Sequence, residues 1–276
     1  MRKRSRSVVI LTESAVMIAL ATVLSIVKII QMPYGGAVTA ASILPIAVIS
    51  YRHGIRWGLC TATVHGVIQQ LLDLSMLSYF SDWISLICIV LLDYVVAFAA
   101  AGLAGAFRKP IKNQASALCL GCFSVCILRY VCHVISGFTV WTGFAMPTKA
   151  SLIYSLSYNA TYMLPETIVL LIVTAYIAST VDFRPKTPTR IQKETASGSL
   201  EWMPAAAGLA AVAAVVADTA LIFSKLQDAE TGEFSAAGFA EVNWTLAVAI
   251  TVPALLISIS LFAVYCVLRR KPRMEG

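Results

Sequence analysis

The stretch from Val8 to Ile30, VVILTESAVMIALATVLSIVKII, decides the class of fold. It is apolar apart from Glu13, Lys28 and a few small hydroxyl residues, and runs of about 18 such residues are long enough to cross a bilayer as a helix. It is too long for the apolar core of a signal peptide, and no clear Ala-x-Ala cleavage site follows it. We therefore predict that it forms the first membrane-spanning helix of the chain.

The composition places the whole chain in the same class. Of its 276 residues, 59% are hydrophobic and 13% are charged, and the mean hydropathy is +0.81. An ordinary soluble domain has about 25% charged residues, so one soluble core is excluded. A net charge of +7 often indicates nucleic acid as a partner, but here the basic residues lie in short clusters between apolar segments. The lipid bilayer is the expected surrounding, and nucleic acid is not an expected partner.

The apolar segments predict an all-α integral membrane protein with about eight helices. These lie near residues 8–31, 39–51, 55–75, 83–107, 115–138, 150–181, 203–224 and 244–268. The second is short for a full span. We nevertheless expect it to cross, because Arg52 and Arg56 would otherwise lie outside and break the alternation of charge between the loops.

The basic residues also predict the orientation. Clusters at residues 2–6, 52–56, 108–112, 184–193 and 269–273 all fall on one side if every segment crosses. The positive-inside rule makes that side the cytoplasm, so both termini are expected to be cytoplasmic in a multi-pass protein of the cell membrane. Two outer loops, near Met32–Ala37 and Thr139–Lys149, carry aromatic residues and glycine. We expect them to form a lid or the mouth of a site.

A change in composition divides the chain into three parts. Residues 1–183 contain six helices with many aromatic and polar groups, and we predict that they form the working module. Residues 184–200 form a basic cytoplasmic linker. Residues 201–276 form an accessory transmembrane hairpin of two plainer helices.

The seven cysteines all lie in or at the ends of apolar segments, so no external disulfide framework is expected. Cys119 and Cys122 have the spacing of a redox or metal motif. Their context is an apolar helix without a nearby carboxylate, which favours packing over metal binding. We therefore predict no metal site and no cofactor.

Ionisable groups at membrane depth are costly, so each needs a partner or a function. The candidates are Glu13, His65, Asp93, Arg129, His133, Glu166 and Asp218. In one interpretation they are structural, with Arg129 paired to Asp93 or Glu166. In the other they form a binding site. Arg129, His133 and Gly137 are spaced four apart and share one helix face, and Trp141 follows them.

A second set of polar and aromatic residues lies on the sixth predicted helix. Tyr154, Tyr158, Tyr162 and Glu166 form a stripe at a spacing of four, with Asn159 beside it. A carboxylate and aromatic faces together suit a flat, cationic ligand, because the faces add cation–π attraction. Asn and Tyr supply directed hydrogen bonds that orient a heteroaromatic ring. Phosphate is not favoured, since no outward Arg/Lys cluster or glycine-rich loop is present.

Several of these stretches together resemble the ThiT family. They are MPYGGAVTAASILPIAVISYRHGIRWG from residue 32, LDY from residue 92, RYVCHVISGFTVW from residue 129 and YSLSYN from residue 154. ThiT proteins are the thiamine-specific substrate-binding subunits (S-components) of energy-coupling-factor (ECF) transporters. The resemblance covers residues 8–183 in order, and it implies a six-helix S-component bundle. The two helices after residue 200 lie beyond that pattern, so the predicted fold is this bundle with a C-terminal two-helix extension on whose role the resemblance says nothing.

The resemblance also implies a role for each matching residue. Asp93 and Tyr94 would meet the thiazolium end of thiamine, and His133 and Trp141 would flank its rings. Gly137 would allow close backbone approach, while Tyr154 and Asn159 would bind polar edges. The family often has Glu where Asp93 stands. Some members have Trp in the first outer loop, where Tyr34 is the candidate lid residue here.

The family uses small residues on its first helix to dock a membrane-embedded coupling subunit. Ala15 and Ala19 fit that pattern, because small residues four apart allow close helix approach. The implied partners are therefore thiamine, the transmembrane coupling subunit and two ATPase subunits. This agrees with the sequence, which has no G-x-x-x-x-G-K-[ST] motif for binding ATP itself.

Two alternative functions are a stand-alone secondary transporter and an intramembrane enzyme. A stand-alone secondary transporter of thiamine or a related organic cation needs a coupling group, and Glu166, after Pro165, could serve as a proton-coupling acid. No convincing internal repeat supports that alternative. An intramembrane enzyme is not expected, because neither G-x-S-x-G nor H-E-x-x-H occurs.

Overall fold

The structure is a computed structural model that describes residues 2–32, 34–141, 149–191, 202–226 and 236–269. It is mostly helical. Helix α1 spans Arg2–Ile26 and is followed by an antiparallel hairpin of strands β1, Lys28–Gln31, and β2, Ala37–Thr39. Helices α2, Leu44–His53, and α3, Ile55–Leu72, come next, and then a short 3₁₀ helix at Leu74–Tyr79.

The remaining elements are longer. Helix α4 spans Trp83–Arg108, α5 spans Gln114–Thr139 and α6 spans Lys149–Thr180. A small hairpin of β3, Val181–Asp182, and β4, Thr189–Arg190, follows α6. Helix α7, Trp202–Leu226, a 3₁₀ helix at Ala236–Glu241 and helix α8, Trp244–Arg269, complete the described chain.

Among the residues that the structure describes, six helices are long and apolar enough to cross a membrane, namely α1, α4, α5, α6, α7 and α8. The six predicted segments that correspond to them agree with the structure within a few residues, except at the end of the first. Helix α8 is the least buried of the six, since only 6% of its apolar window lies inside the protein. It packs mainly on α7, and α7 in turn packs on α6.

The prediction of helix at 8–31 and 39–51 is wrong at residues 27–31 and 39–43. Helix α1 ends at Ile26, and the next residues pair as strands around a turn with Gly35 at φ +89° and Gly36 at φ +87°. Glycine adopts this backbone conformation without the steric cost that other residues meet. The second helix then begins at Leu44, with Pro45 in its first turn.

Helix α2 is short because it lies in the centre of the bundle. Its ten residues rise about 15 Å, half the thickness of the hydrocarbon core, so α2 alone does not cross a membrane. Every residue from Leu44 to Tyr51 is buried, and α1, α3, α4 and α5 pack around the helix. Helix α2 is therefore the core element that holds the other helices in place.

Arg52 connects three elements at the end of α2. Its guanidinium forms an ion pair with Glu13 of α1 and donates to the backbone oxygens of Phe183, Pro185 and Lys186 beyond α6. Glu13 also contacts His53 at 2.8 Å. This network gives Glu13 a structural role and fixes one end of the bundle.

Both α4 and α5 begin at capping side chains. The Asp82 carboxylate accepts from the backbone N–H of Ser85 at 2.7 Å, and Asn113 caps Ser116 at 2.9 Å. Hydrogen bonds from Ser85 hold the pKa of the exposed Asp82 carboxyl below its usual range. These caps explain why the predicted starts of the two helices agree with the structure.

Candidate functional site

The site begins at an irregularity in α4. The helix changes from α to π geometry over Val90–Val96, and Asp93 and Tyr94 lie in that π segment. A π segment adds a residue to the helical turn, and such segments occur often at functional sites. The π segment therefore determines where the Asp93 and Tyr94 side chains point. The 3.6-residue period of a regular helix would not predict that direction.

Asp93 is held from α5. Its Oδ1 lies 2.9 Å from His133 Nδ1, and its Oδ2 accepts from Ser136 Oγ at 2.7 Å and from Trp141 Nε1 at 3.4 Å. Asp93 and His133 are 14% and 13% exposed, so the carboxylate is largely withdrawn from solvent.

Helices α5 and α6 meet closely beside this carboxylate. A Cβ on Gly137 would lie 2.1 Å from Ser155 Oγ, so only glycine fits there. Asn159 spans the same contact, since its Nδ2 donates to the Ser155 and His133 oxygens and its Oδ1 accepts from Tyr162 at 2.8 Å. Gly137 and Asn159 therefore first serve the packing of these two helices.

The stripe on α6 holds the β1–β2 hairpin. The Tyr158 hydroxyl donates to the Gly35 oxygen at 3.0 Å and accepts from the Tyr34 N–H at 3.1 Å. Four residues further on, the Tyr162 ring lies against Gly36.

The same stripe ends at Glu166, which accepts from both the backbone N–H and the hydroxyl of Thr39 at the end of β2. The hairpin is therefore fastened to α6 at each of three successive turns.

An aromatic cluster covers the same region. Tyr34 lies 6.1 Å from Tyr79 and 6.4 Å from Trp141, measured between ring centroids. Trp141 also makes an edge contact with Phe80 at 4.9 Å, and Tyr154 stacks on Tyr158 at 6.1 Å. Tyr34 thus lies among the aromatic residues, as a lid residue would.

Arg129 has a different environment from the one that its spacing suggests. The structural interpretation pairs it with Asp93 or Glu166. In the described part of the chain it forms no ion pair with either carboxylate, and its Nε and Nη1 have no hydrogen-bond partner. The guanidinium lies over the Phe98 ring at 4.7 Å, and the residue is 9% exposed. The pairing is wrong because His133 and Ser136 bind Asp93, while Thr39 binds Glu166.

These residues surround one cavity of about 510 Å³. A volume of roughly 300–1,000 Å³ is usual for small-molecule sites. All the predicted binding residues line the cavity, together with the candidate lid residue: Asp93, Tyr94, His133, Gly137, Trp141, Tyr154, Asn159 and Tyr34. Ala15 and Ala19 do not line it and are exposed on α1.

Sequence reasoning missed part of the lining on α1, β1 and α3. Lys28 and Asp73 form an ion pair of 3.6 Å beside the cavity, and Gln69 donates to Ser25 at 2.9 Å. Gln31 also lines it. Two adjacent glutamines, Gln69 and Gln70, in the last turn of α3 were the available signal.

Three carboxylates line the cavity: Asp73, which pairs with Lys28, Glu166, which Thr39 binds, and Asp93. The cavity thus combines the Asp93 carboxylate with several aromatic faces. That combination attracts a flat organic cation, since the carboxylate balances the charge and the rings add cation–π attraction. Within the described residues, no group of three or more His, Cys, Asp or Glu has the arrangement of a metal site. Cys119 and Cys122 are free thiols on α5, and their sulfur atoms contact Leu171 and Thr174 of α6.

Two comparisons with known proteins identify the family. The model of the family described as Thiamine transporter protein (Thia_YuaJ) matches residues 11–183, which is well over half of the chain. The Thiamine transporter ThiT of Bacillus subtilis (strain 168) is 37% identical over 181 residues, which are 62% of this chain and 90% of that protein. Helices α7 and α8 lie beyond the region matched by the family model. The resemblance to the ThiT family is confirmed, and the chain belongs to the thiamine transporter family, a family of multi-pass membrane transporters and not of enzymes.

Proposed function

We infer that this chain binds thiamine with high affinity as the substrate-binding subunit of an ECF-type transporter. Thiamine carries a permanently charged thiazolium ring, which needs a counter-charge when it leaves water. Asp93 supplies that charge in a cavity of suitable volume with aromatic walls. This carboxylate, placed in a member of the thiamine transporter family, is the observation that carries the proposal.

The contacts of the cavity support a division of roles. Asp93 and Tyr94 would receive the thiazolium ring, and His133 and Trp141 would flank the rings. Asn159 Oδ1 accepts one hydrogen bond from Tyr162 and keeps a second lone pair, which an amino group of the ligand can use. Tyr154, 39% exposed, would contact a polar edge of the ligand, and Tyr34 would close over the site.

The proposal also includes separate partners that supply the energy. Ala15 and Ala19 lie exposed on α1, so they are available for close contact with a coupling subunit, which would act with two ATPase subunits. The basic clusters support a cell-membrane protein with cytoplasmic termini and a cytoplasmic linker at 184–200. Of that linker, residues 192–200 lie outside the described residues.

In the same view residues 1–183 are the thiamine-binding module, and the hairpin of α7 and α8 is an accessory extension of it. The family match ends at residue 183 and the hairpin begins after the linker, which supports this division.

The charge of Asp93 provides the direct test. Asp93→Asn keeps the shape and one acceptor oxygen but removes the negative charge. We expect thiamine affinity to fall roughly ten- to hundredfold, since a charge-assisted contact contributes about 1.5–3 kcal/mol. Titration calorimetry on the purified protein measures this, and Trp fluorescence gives a second readout through Trp141.

Two controls make the result decisive. The thermal unfolding midpoint of Asp93→Asn should stay close to that of the unaltered protein. An analogue with a neutral ring in place of thiazolium should bind the unaltered protein weakly and lose little further affinity in Asp93→Asn. If thiamine binds Asp93→Asn and the unaltered protein with equal affinity, Asp93 has only a structural role in the contact between α4 and α5.

The alternative, a stand-alone secondary transporter of thiamine or a related organic cation, depends on Glu166 as the coupling acid. Both Glu166 oxygens accept hydrogen bonds from Thr39, which favours a structural role in holding the hairpin. Purified protein in vesicles distinguishes the two functions. Concentrative uptake driven by a proton or sodium gradient alone would establish the alternative.

A further inference from the structure

A second cavity lies on the other side of α6, between that helix and the C-terminal hairpin. Its volume is about 530 Å³, similar to that of the first cavity. Residues from Leu156 to Ile168 form one wall, residues from Val215 to Phe223 form the other, and Phe239 lies at one end. No residue lines both cavities, so the two are separate.

The lining of this cavity is apolar except for Asp218 and a few small hydroxyl residues. Asp218 lies well inside α7, eight residues before its last residue, Leu226, so it is about 12 Å from that end of the helix. Its Oδ2 accepts a hydrogen bond from Thr251 of α8, whereas its Oδ1 is buried and has no hydrogen-bond partner among the described residues. A carboxylate at membrane depth without a counter-charge is costly, so a missing partner is expected there.

The cavity also has three hydroxyl residues, Ser157, Thr161 and Thr219. The Thr161 hydroxyl donates to the Tyr158 oxygen and the Thr219 hydroxyl donates to the Val215 oxygen, so both donors are used within their helices. Pro165 has no N–H, so the Thr161 carbonyl lacks its usual partner one turn later. A ligand that pairs with the Asp218 carboxylate and the Thr161 carbonyl must donate hydrogen bonds, because both groups only accept.

We propose that the cavity between α6 and α7 binds a small lipophilic amine in its protonated form. Its ammonium group pairs with Asp218 and donates to the Thr161 carbonyl, and its alkyl or aromatic body fills the apolar space between the helices. Phe223 and Phe239 add aromatic faces, which attract a cation. The site depends on the hairpin, which lies beyond the region matched by the family model.

Tritium-labelled hexylammonium is a suitable probe, with the full-length protein in phosphatidylcholine nanodiscs and a scintillation proximity readout. We expect saturable binding that unlabelled hexylammonium displaces and 1-hexanol does not. Asp218→Asn should weaken binding tenfold or more. Ala160→Trp, which fills the cavity from α6, should abolish it.

Asp82→Asn is the matched control, because it removes a carboxylate that lines neither cavity, keeps a helix-capping side chain, and should leave hexylammonium affinity unchanged. Thermal unfolding midpoints report whether each variant is folded, and Ala160→Trp tests the site independently of α7. The proposal is overturned if the unaltered protein shows no saturable binding, if 1-hexanol competes equally, or if folded Asp218→Asn and Ala160→Trp proteins bind the probe normally.

Discussion

At the scale of single residues, the spacing of α5 and α6 depends on one missing side chain. Gly137 faces Ser155, whose Oγ occupies the place of the absent Cβ and donates to the Val134 oxygen at 2.9 Å. The resemblance to ThiT implies that this glycine allows close approach of the ligand. The structure adds a packing role, and the two roles have different consequences for stability.

Gly137→Ala should therefore destabilise the protein as well as weaken thiamine binding. Overpacking of this kind costs about 1–3 kcal/mol, because neighbouring groups must move. We expect a lower unfolding midpoint in detergent, and partial recovery in the double variant Gly137→Ala with Ser155→Gly, which removes the clashing atoms. A loss of thiamine affinity with an unchanged midpoint would instead assign Gly137 to the ligand alone.

At the scale of elements, the β1–β2 hairpin and the π segment of α4 show where sequence reasoning ends. Lys28–Gln31 is apolar enough to extend the pattern of α1, so periodicity alone could not separate strand from helix. The stripe Tyr158, Tyr162, Glu166 was visible as a shared helix face, but its partner was not, because Thr39 is 127 residues from Glu166. The π segment depends on tertiary packing, which no local pattern records.

The fastening of the hairpin by Glu166 can be tested with two substitutions. Glu166→Gln retains an acceptor for the Thr39 N–H and can donate to its hydroxyl, so thiamine affinity should change little. Glu166→Ala leaves the Thr39 N–H buried without a partner, although the hydroxyl keeps its contact with Ser42. The unpaired N–H costs about 1–3 kcal/mol, and thiamine should dissociate about 5- to 150-fold faster. Stopped-flow fluorescence measures the dissociation rate. If thiamine dissociates as fast from Glu166→Gln as from Glu166→Ala, binding requires the negative charge of Glu166, and its hydrogen bonds to Thr39 do not explain its role.

At the scale of the whole molecule, the polar groups divide according to position. Those at the centre of the bundle line the first cavity, and those at the end of α2 form the network around Arg52. Apolar length and charge predicted about eight helices, and six of these correspond to the long apolar helices of the described chain. Helix spacing grouped the candidates on α5 and α6, and the resemblance to ThiT implied their individual roles. Their meeting with the β1–β2 hairpin and α4 could not be predicted from spacing, because these elements come together only in the folded chain.

The exposed side of α1 is where the proposed coupling to an ATP-driven partner can be tested. Ala15 and Ala19 are exposed and outside the cavity, so Ala15→Trp with Ala19→Trp should leave thiamine affinity intact. ATP-dependent uptake should nevertheless collapse, because close helix contact tolerates only small residues. Ala213→Trp with Ala220→Trp is the matched control, since both alanines are exposed on α7. Binding in detergent and uptake into vesicles that contain the coupling and ATPase subunits are measured on the same variants. Equal uptake by both double variants would remove α1 as the docking helix, because a surface that tolerates two indole rings makes no close contact.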